Sequence, residues 1–144
     1  MEQNSQKQIY DLAGQVIGCA MEVHRELGHG FCESLYHKAL MIELEAMGFE
    51  VQSEHKIKVF YKDHTVGDFS ADLFVNNTLI LELKATRALD DTHEVQLVNY
   101  LTATNQPEGL LINFGANSLQ FKKKFKNYKP KKSSLVRHTD IEST

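Results

Sequence analysis

A strict alternation of apolar side chains is the feature that most constrains how this chain can fold. Within residues 69–75 and 79–83 every odd-numbered position is apolar. Because successive side chains of a strand point to opposite faces, the pattern predicts two strands that each turn one apolar face to a core. Directly opposed residues of a hairpin share a face, so the connection must have an odd length, most simply the three residues 76–78. That register predicts that Asp72 lies opposite Glu82.

Helical spacing of apolar residues surrounds the predicted hairpin on both sides. The predicted elements are helices over about 5–27 and 32–47, strands over about 49–61, 69–75 and 79–83, a helix over 87–104, a strand over 109–115 and a possible edge strand over 121–125. The order is therefore α-α-β-β-β-α-β, with a possible further β. Such an order predicts an α/β domain in which helices flank a central sheet.

Length and composition indicate one ordinary globular domain over residues 1–126. The chain has 144 residues, of which 42% are hydrophobic and 24% charged. Its apolar stretches are too short to span a bilayer and residues 1–7 are polar, so we expect a cytoplasmic protein without membrane contact. Cys19 and Cys32 lack the spacing of a zinc site, and we expect both to be reduced packing residues.

Half of the sixteen basic residues fall between Lys122 and Arg137, a stretch without any acid. Such a run can contact nucleic-acid phosphates, and the candidates at its start are Lys122, Lys123, Lys124 and Lys126. The alternative is a solvated tail, partly disordered over residues 127–144. The sequence leaves both interpretations open.

On the even-numbered face of the predicted hairpin stand Asp72, Glu82 and Lys84. Two carboxylates one strand spacing apart repel each other unless a cation lies between them, and their hard oxygen atoms suit Mg²⁺ or Mn²⁺. Lys84 could orient a water molecule or stabilise charge developing on a phosphate. The alternative is an ordinary solvent-facing strand surface. Phe74 and Ile80 share this face, however, which favours a partly buried surface where unpaired charges are costly.

Further polar residues stand on the predicted helices. Glu33 shares a helical face with Tyr36 and would then face inward, although an acid near a helix start also complements the helix dipole. Gln96 and Tyr100 are four residues apart, which is typical of a buried hydrogen-bonding pair or of a substrate site. His24 borders the first apolar stripe, and we interpret it as a histidine with a satisfied hydrogen bond.

Short blocks of this sequence also resemble a known family. In order, they are Gly30-Phe-Cys-Glu33-Ser-Leu-Tyr36, Ala71-Asp72-Leu-Phe-Val75, Leu81-Glu82-Leu-Lys84-Ala85, His93-x-x-Gln96-Leu-x-Asn99-Tyr100-Leu101 and Asn113-Phe-Gly115. The first is similar to the Gly-x-x-Glu-x-x-Tyr signature of small proteins in the PD-(D/E)XK nuclease superfamily. The resemblance covers about residues 10–126, and the blocks are specific because they occur together and in order.

The resemblance implies a restriction-endonuclease-like fold, in which helices flank a mixed sheet and the acids lie at a splayed hairpin. It implies roles for six residues: Asp72 and Glu82 as metal ligands, Lys84 as the catalytic lysine, Glu33 as a further acid of the metal site, and Gln96 and Tyr100 as the Gln-x-x-x-Tyr element of the RecB-like branch. Ala71 stands where the superfamily's name has proline.

The function expected from these residues is metal-dependent hydrolysis of nucleic acid, with DNA favoured and Mg²⁺ or Mn²⁺ as cofactor. A nucleic-acid-binding or assembly subunit that keeps the fold without turnover is the alternative. No base-reading motif separates DNA from RNA. A homodimer is plausible by analogy with nucleases that cut two strands with two copies.

Overall fold

The computed structural model describes residues 12–127, and within them it contains three helices and five strands. In chain order these are α1 (Leu12–Leu27), α2 (Glu33–Ala46), β1 (Val51–Tyr61), β2 (His64–Val75), β3 (Leu79–Lys84), α3 (Asp91–Thr104), β4 (Glu108–Asn113) and β5 (Gln120–Phe125). The predicted order is confirmed, including the last edge strand. The predicted helical residues before Leu12 and the basic tail from residue 128 onward lie outside the described residues.

The five strands form one mixed sheet in the order β1-β2-β3-β4-β5. All neighbouring strands are antiparallel except β3 and β4, which are parallel. A parallel pair needs a crossover connection, and α3 provides it. The α/β class with helices flanking a central sheet is therefore confirmed. None of the described helices is long and apolar enough to cross a membrane.

The core is divided between the two faces of the sheet. On one face α1 and α2 pack against Leu73, Val75, Leu79, Leu81, Leu83, Leu110 and Ile112. On the other face α3 covers a smaller cluster made of Ile57, Phe69, Ala71, Phe74, Ile80 and Leu111. Burying one such side chain stabilises a fold by roughly 1.5–3 kcal/mol. Both faces are thus covered, and the even-numbered face is not an open solvent surface.

The expectation that one face of β2 is apolar along its whole length is wrong. Phe69 and Ala71 pack towards α3, whereas Leu73 packs towards α1 and α2. The change of face occurs opposite Glu54, which has a left-handed backbone with φ 51° inside β1. Pairing is interrupted there, since Ser53↔Leu73 is followed by His55↔Ala71. Asp72 lies at this break in the alternation.

The turn between β2 and β3 has the predicted odd length. Asn76, Asn77 and Thr78 connect Val75 to Leu79. Asn76 and Asn77 adopt left-handed backbones with φ 51° and 55°, a conformation that asparagine tolerates better than most residues. The register that follows pairs Leu73 with Leu81.

Two local predictions need correction. The third helix begins at Asp91 instead of Arg87, because the side chain of Asp90 accepts the N–H of His93 at 3.2 Å and caps the helix. Both cysteines are free, but only Cys19 is a buried packing residue. Cys32 is exposed, since it occupies the N-cap position of α2 instead of a position on its buried face.

Candidate active site

Asp72 and Glu82 lie where the β2–β3 hairpin splays apart. The ladder ends at Leu73↔Leu81, and one step further the register places Asp72 opposite Glu82, as predicted. The N–H of Asp72 donates to Oε2 of Glu82 at 3.0 Å, and the N–H of Leu83 donates to Oδ2 of Asp72 at 2.8 Å. Each carboxylate thus takes the place of a ladder acceptor, and the backbone of the opposite strand fixes its orientation.

The surroundings of Glu82 disfavour its charged form. Burial of the side chain, together with the negative charge of Asp72, raises the pKa of Glu82 to about 8. The N–H of Asp72 and the positive charge of Lys84 act in the opposite direction without cancelling the effect of burial. A cation bound between the two carboxylates would relieve this repulsion and favour both charged forms.

Lys84 ends β3 and is half-buried beside these acids. Its positive charge lowers the pKa of both Glu33 and Glu82, so it lies close to both carboxylates. Among the described residues, it takes part in no ion pair. Its ammonium group is therefore not committed to a structural salt bridge.

Glu33 reaches the same region from the first position of α2. Its side chain is exposed, yet partial burial and the charge of Asp72 raise the pKa of Glu33. The expected inward orientation applies only to residues further along α2, such as Tyr36, because the first residue of the helix still lies at the rim. Glu33 is close enough to sense Asp72 and Lys84 but does not belong to the core.

Tyr36 explains why Glu33 is held at this place. Its hydroxyl group donates to the carbonyl oxygen of Gly28 at 2.6 Å and accepts the N–H of Phe31 at 3.3 Å. Its ring is fully buried and stacks on Phe114 with the centroids 4.7 Å apart. Tyr36 therefore fastens the glycine-containing loop that leads into α2, and so fixes the helix start that carries Glu33.

Two histidines also lie near Glu33, and sequence reasoning did not assign them to the site. The charges of His37 and His93, when protonated, lower the pKa of Glu33. His37 follows Glu33 by one helical turn and also hydrogen-bonds Ser53 at 2.8 Å. His93 stands three residues before Gln96 in α3. Helical spacing from the candidate residues was the signal that could have found both.

Gln96 and Tyr100 lie on α3 but do not form a buried hydrogen-bonding pair. Gln96 is exposed, so that interpretation is wrong. The Tyr100 ring is half-buried and stacks on Phe69 with the centroids 4.0 Å apart. The prediction that His24 has a satisfied hydrogen bond is confirmed, because its Nε2 donates to the carbonyl oxygen of Ala116 at 2.9 Å.

The four candidate lysines for nucleic-acid contact lie on or just after β5. Lys123 pairs with Glu108 at 3.5 Å and Lys124 with Glu94 at 2.6 Å. Lys126 donates to Oδ1 of Asn105 at 2.5 Å, whereas Lys122 is exposed. Two of the four charges are thus partly neutralised within the protein.

The free carboxylate oxygen atoms of Asp72 and Glu82 suit a divalent cation. One oxygen atom of Asp72 and one of Glu82 bind backbone N–H groups, which leaves the second oxygen atom of each carboxylate for a ligand. Hard oxygen donors suit Mg²⁺ and Mn²⁺, which keep several water ligands. Within residues 12–127 no three Asp, Glu, His or Cys side chains come together as a metal-binding group, so Glu33 is not assembled with the pair. The two hairpin acids fit a partly hydrated ion.

Solved structures that match this chain include two proteins of low sequence identity. The crystal structure of a protein named SSO0001 is 17% identical over 78% of this chain, with a TM-score of 0.50. An alkaline exonuclease, LHK-Exo from Laribacter hongkongensis, is 12% identical over 76% of this chain, with a TM-score of 0.47. This chain spans 59% and 61% of their respective lengths. Proteins with curated descriptions give no match.

The superfamily to which the chain belongs is shown by a family model. The model of the PD-(D/E)XK nuclease superfamily matches residues 10–127, which includes every described residue of the site. The mixed sheet with flanking helices, and the two acids at a splayed hairpin, agree with the restriction-endonuclease-like fold of that superfamily. The chain belongs to the PD-(D/E)XK nuclease superfamily.

Proposed function

We propose that this protein is a metal-dependent nuclease that hydrolyses phosphodiester bonds, with DNA as the favoured substrate. The observation that carries the proposal is the reciprocal fixation of Asp72 and Glu82, which holds two mutually repelling carboxylates together in a half-buried place. Repulsion between two carboxylates does not stabilise a fold, whereas a bound cation is attracted to both of them. Lys84 beside the pair, free of an ion pair with any described residue, supports the same function.

In the proposed site, Asp72 and Glu82 hold Mg²⁺ or Mn²⁺. When bound there, such an ion would polarise the phosphodiester and lower the pKa of a bound water molecule. Lys84 orients the attacking water or stabilises the negative charge that grows on the phosphate. Glu33 would contribute a further negative charge at the rim of the site. Gln96 and Tyr100 contact the substrate strand from α3.

Within the superfamily, we propose that the chain belongs to the Gly-x-x-Glu-x-x-Tyr group and lies close to the RecB-like branch. The support is the first sequence block, whose Glu33 approaches the site while Tyr36 fastens the loop before it. Gln96 and Tyr100 follow the hairpin with the spacing of the Gln-x-x-x-Tyr element. Lys122, Lys123, Lys124 and Lys126 are proposed contacts to nucleic-acid phosphates.

The decisive experiment is a cleavage assay with single-stranded, duplex and branched DNA and with RNA, in the presence of Mg²⁺, Mn²⁺ or a chelator. We expect cleavage that requires the metal and falls by about 10²–10³-fold in Asp72→Asn and Lys84→Ala, as on removal of other groups that stabilise a transition state. Asp68→Asn and Lys58→Ala are matched controls, because both side chains are exposed and lie opposite each other on β2 and β1. Both controls should retain activity.

The outcomes separate the two functional classes. If no substrate is cleaved, and if binding is sensitive to salt but unchanged by metal or by Asp72→Asn, the protein is a nucleic-acid-binding or assembly subunit and not an enzyme. Cleavage of RNA alone would correct the substrate class.

We also propose a homodimer, since β1 and β5 are both edge strands. Light scattering coupled to gel filtration tests it, and a monomeric mass would reject it.

A further inference from the structure

The side-chain amide of Asn113 is completely buried at the end of β4, and all its hydrogen-bonding capacity is used. Its Oδ1 accepts the N–H of Thr86 at 2.9 Å and that of Gly115 at 3.0 Å. Its Nδ2 donates to the carbonyl oxygen of Thr86 at 3.0 Å and to Oε1 of Gln120 at 2.9 Å. An amide group offers two donors and two acceptor positions, so Asn113 is fully satisfied.

These bonds fasten the connection between β3 and α3, which has no regular secondary structure from Ala85 to Asp90. Thr86 is held through both its N–H and its carbonyl group. Oε1 of Gln120 also accepts the N–H of Leu89 at 3.0 Å. Asn113 and Gln120 together therefore fix this connection at two points.

Gly115 adds a steric element to the same contact. A Cβ atom at this position would lie 2.3 Å from the carbonyl oxygen of Thr86 and 2.4 Å from its nitrogen. Only glycine allows the backbone after β4 to approach the β3–α3 connection so closely. The Asn113-Phe114-Gly115 block is thus explained by a contact with the residues that directly follow Lys84.

Lys84 depends on this contact because, at the end of β3, only β4 still pairs with the strand through its backbone. The ladder with β2 stops at Leu81, whereas the pairing with β4 continues to Lys84↔Asn113. The carbonyl group of Lys84 accepts the N–H of Phe114 at 2.9 Å. With the hairpin splayed, the direction in which the chain leaves Lys84 is set by β4 and the connection held by Asn113.

We propose that Asn113 is a positioning residue for Lys84, a role that rests on the proposed nuclease function. It does not touch the reacting atoms. Through Thr86 it holds the end of β3 so that the Lys84 ammonium group stays beside Asp72 and Glu82. Gln120 supports Asn113 in this role, and Gly115 makes the close approach possible.

The first test is a double-mutant cycle between Asn113→Asp and Lys84→Ala in the full chain. Asn113→Asp keeps the shape but loses both donors of the amide. We expect it to lower kcat by about 10–10²-fold while KM and Mn²⁺ affinity change by less than about 3-fold, and to add little to Lys84→Ala. If the two effects multiply, Asn113 does not act through Lys84 and the proposal is overturned.

The second test does not require activity, so it distinguishes this proposal from a failure of the proposed function. Acetylation of Lys84 is followed by mass spectrometry relative to exposed Lys58 as an internal reference. We expect Asn113→Asp to accelerate acetylation of Lys84 by at least about 3-fold, because a released lysine leaves its half-buried, acidic surroundings. An unchanged ratio would contradict the positioning role even if wild-type protein cleaves nothing.

Two further variants keep the test interpretable. Thr104→Val removes another buried side-chain hydrogen bond, from Oγ1 to the carbonyl oxygen of Tyr100, at the opposite end of α3 from His93. It should leave the Lys84 labelling ratio unchanged. If Asn113→Asp does not fold, Gln120→Leu releases Leu89 and one donor of Asn113 while Thr86 stays bound, and we expect a smaller shift in the same direction. A Gln120→Leu ratio equal to wild type would then reject the proposal.

Discussion

Asp72 and Glu82 each use one oxygen atom to bind a backbone N–H of the opposite strand, so neither carboxylate can turn away from the other. This geometry destabilises the protein whenever both groups are charged, since burial and mutual repulsion raise the pKa of Glu82 to about 8. Such an arrangement is typical of functional sites, where a ligand restores the balance. At the scale of single residues, cation binding explains the pair better than a structural role.

The first prediction concerns Glu82→Gln. The pKa of Glu82 is about 8 in the folded protein against an ordinary value of 4.5. Between these values the folded state holds a proton that the unfolded state has lost, so the free energy of unfolding falls as pH rises from about 4.5 to about 8. Glu82→Gln has no carboxyl group at this position, so this decrease in the free energy of unfolding does not occur. Without metal, the variant should therefore be more stable than wild type above pH 8, by on the order of a few kcal/mol.

Urea denaturation of both proteins from pH 5 to pH 9, with and without Mn²⁺, measures this difference. Mn²⁺ should stabilise the wild type at pH 8 and should stabilise Glu82→Gln far less, because the ion loses one carboxylate. Asp68→Asn, at an exposed acid on the neighbouring strand β2, is the control and should behave like wild type. Parallel pH profiles for wild type and Glu82→Gln would show that Glu82 is charged in the folded protein near neutral pH.

The second prediction concerns the hydroxyl group of Tyr36. Tyr36→Phe keeps the stack on Phe114 but removes the bonds to Gly28 and Phe31. We expect the free energy of unfolding to decrease by about 1–2 kcal/mol, since the carbonyl group of Gly28 loses its partner. Nuclease activity should fall further than stability explains, because the loop before Glu33 loosens. Tyr61→Phe, at an exposed ring, should change neither quantity.

The turn between β2 and β3 provides the prediction at the scale of elements. Asn77 is exposed and adopts φ 55°, so only its backbone conformation matters there. Asn77→Val should lower the free energy of unfolding by about 1–2 kcal/mol because a β-branched residue is strained in that region. Asn77→Gly should be nearly neutral. Thermal unfolding of the two variants measures the contrast, and equal stability would mean that the turn has another conformation.

The elements and the hairpin register could be predicted from the sequence because both depend on local periodicity. The odd-length turn at 76–78 and the alternation on either side of it left one register that buries Leu73 and Leu81 together. Asp72 then had to face Glu82. The paired acids were therefore a consequence of pattern and turn length, and the structure adds how their oxygen atoms are held.

The remaining features depend on contacts between elements, which no local pattern records. Glu54 looks like any strand residue, yet its backbone is left-handed where the alternation of β2 changes face beside Asp72. His37 and His93 meet at Glu33 from two different helices. The role of Asn113 appears only when β4 stands beside the connection after β3. The family blocks contain His93 and Asn113 but neither Glu54 nor His37, and only tertiary packing shows what the four residues contact.

At the scale of the whole molecule, charge is distributed unevenly along the chain. The net charge is −3, although half of the sixteen basic residues lie between Lys122 and Arg137. Within the described residues, Lys123 and Lys124 already pair with acids. Lys122 and Lys126 do not pair with acids there, and further basic residues that could add to nucleic-acid binding follow along the chain: Lys129, Lys131, Lys132 and Arg137.

The last prediction tests that contribution with a full-length variant in which these four basic residues are replaced by glutamine. Each phosphate contact adds about 0.9 to the slope of log Kd against log salt concentration on duplex DNA. We expect this slope to decrease by about 3–4 relative to wild type, since four contacts are lost. Fluorescence anisotropy with labelled duplex DNA, at salt concentrations from about 50 to about 200 mM, measures it. Cleavage at low salt should persist, because Asp72, Glu82 and Lys84 are unchanged. An unchanged slope would mean that the tail is only a solvated segment and that binding relies on Lys122 to Lys126.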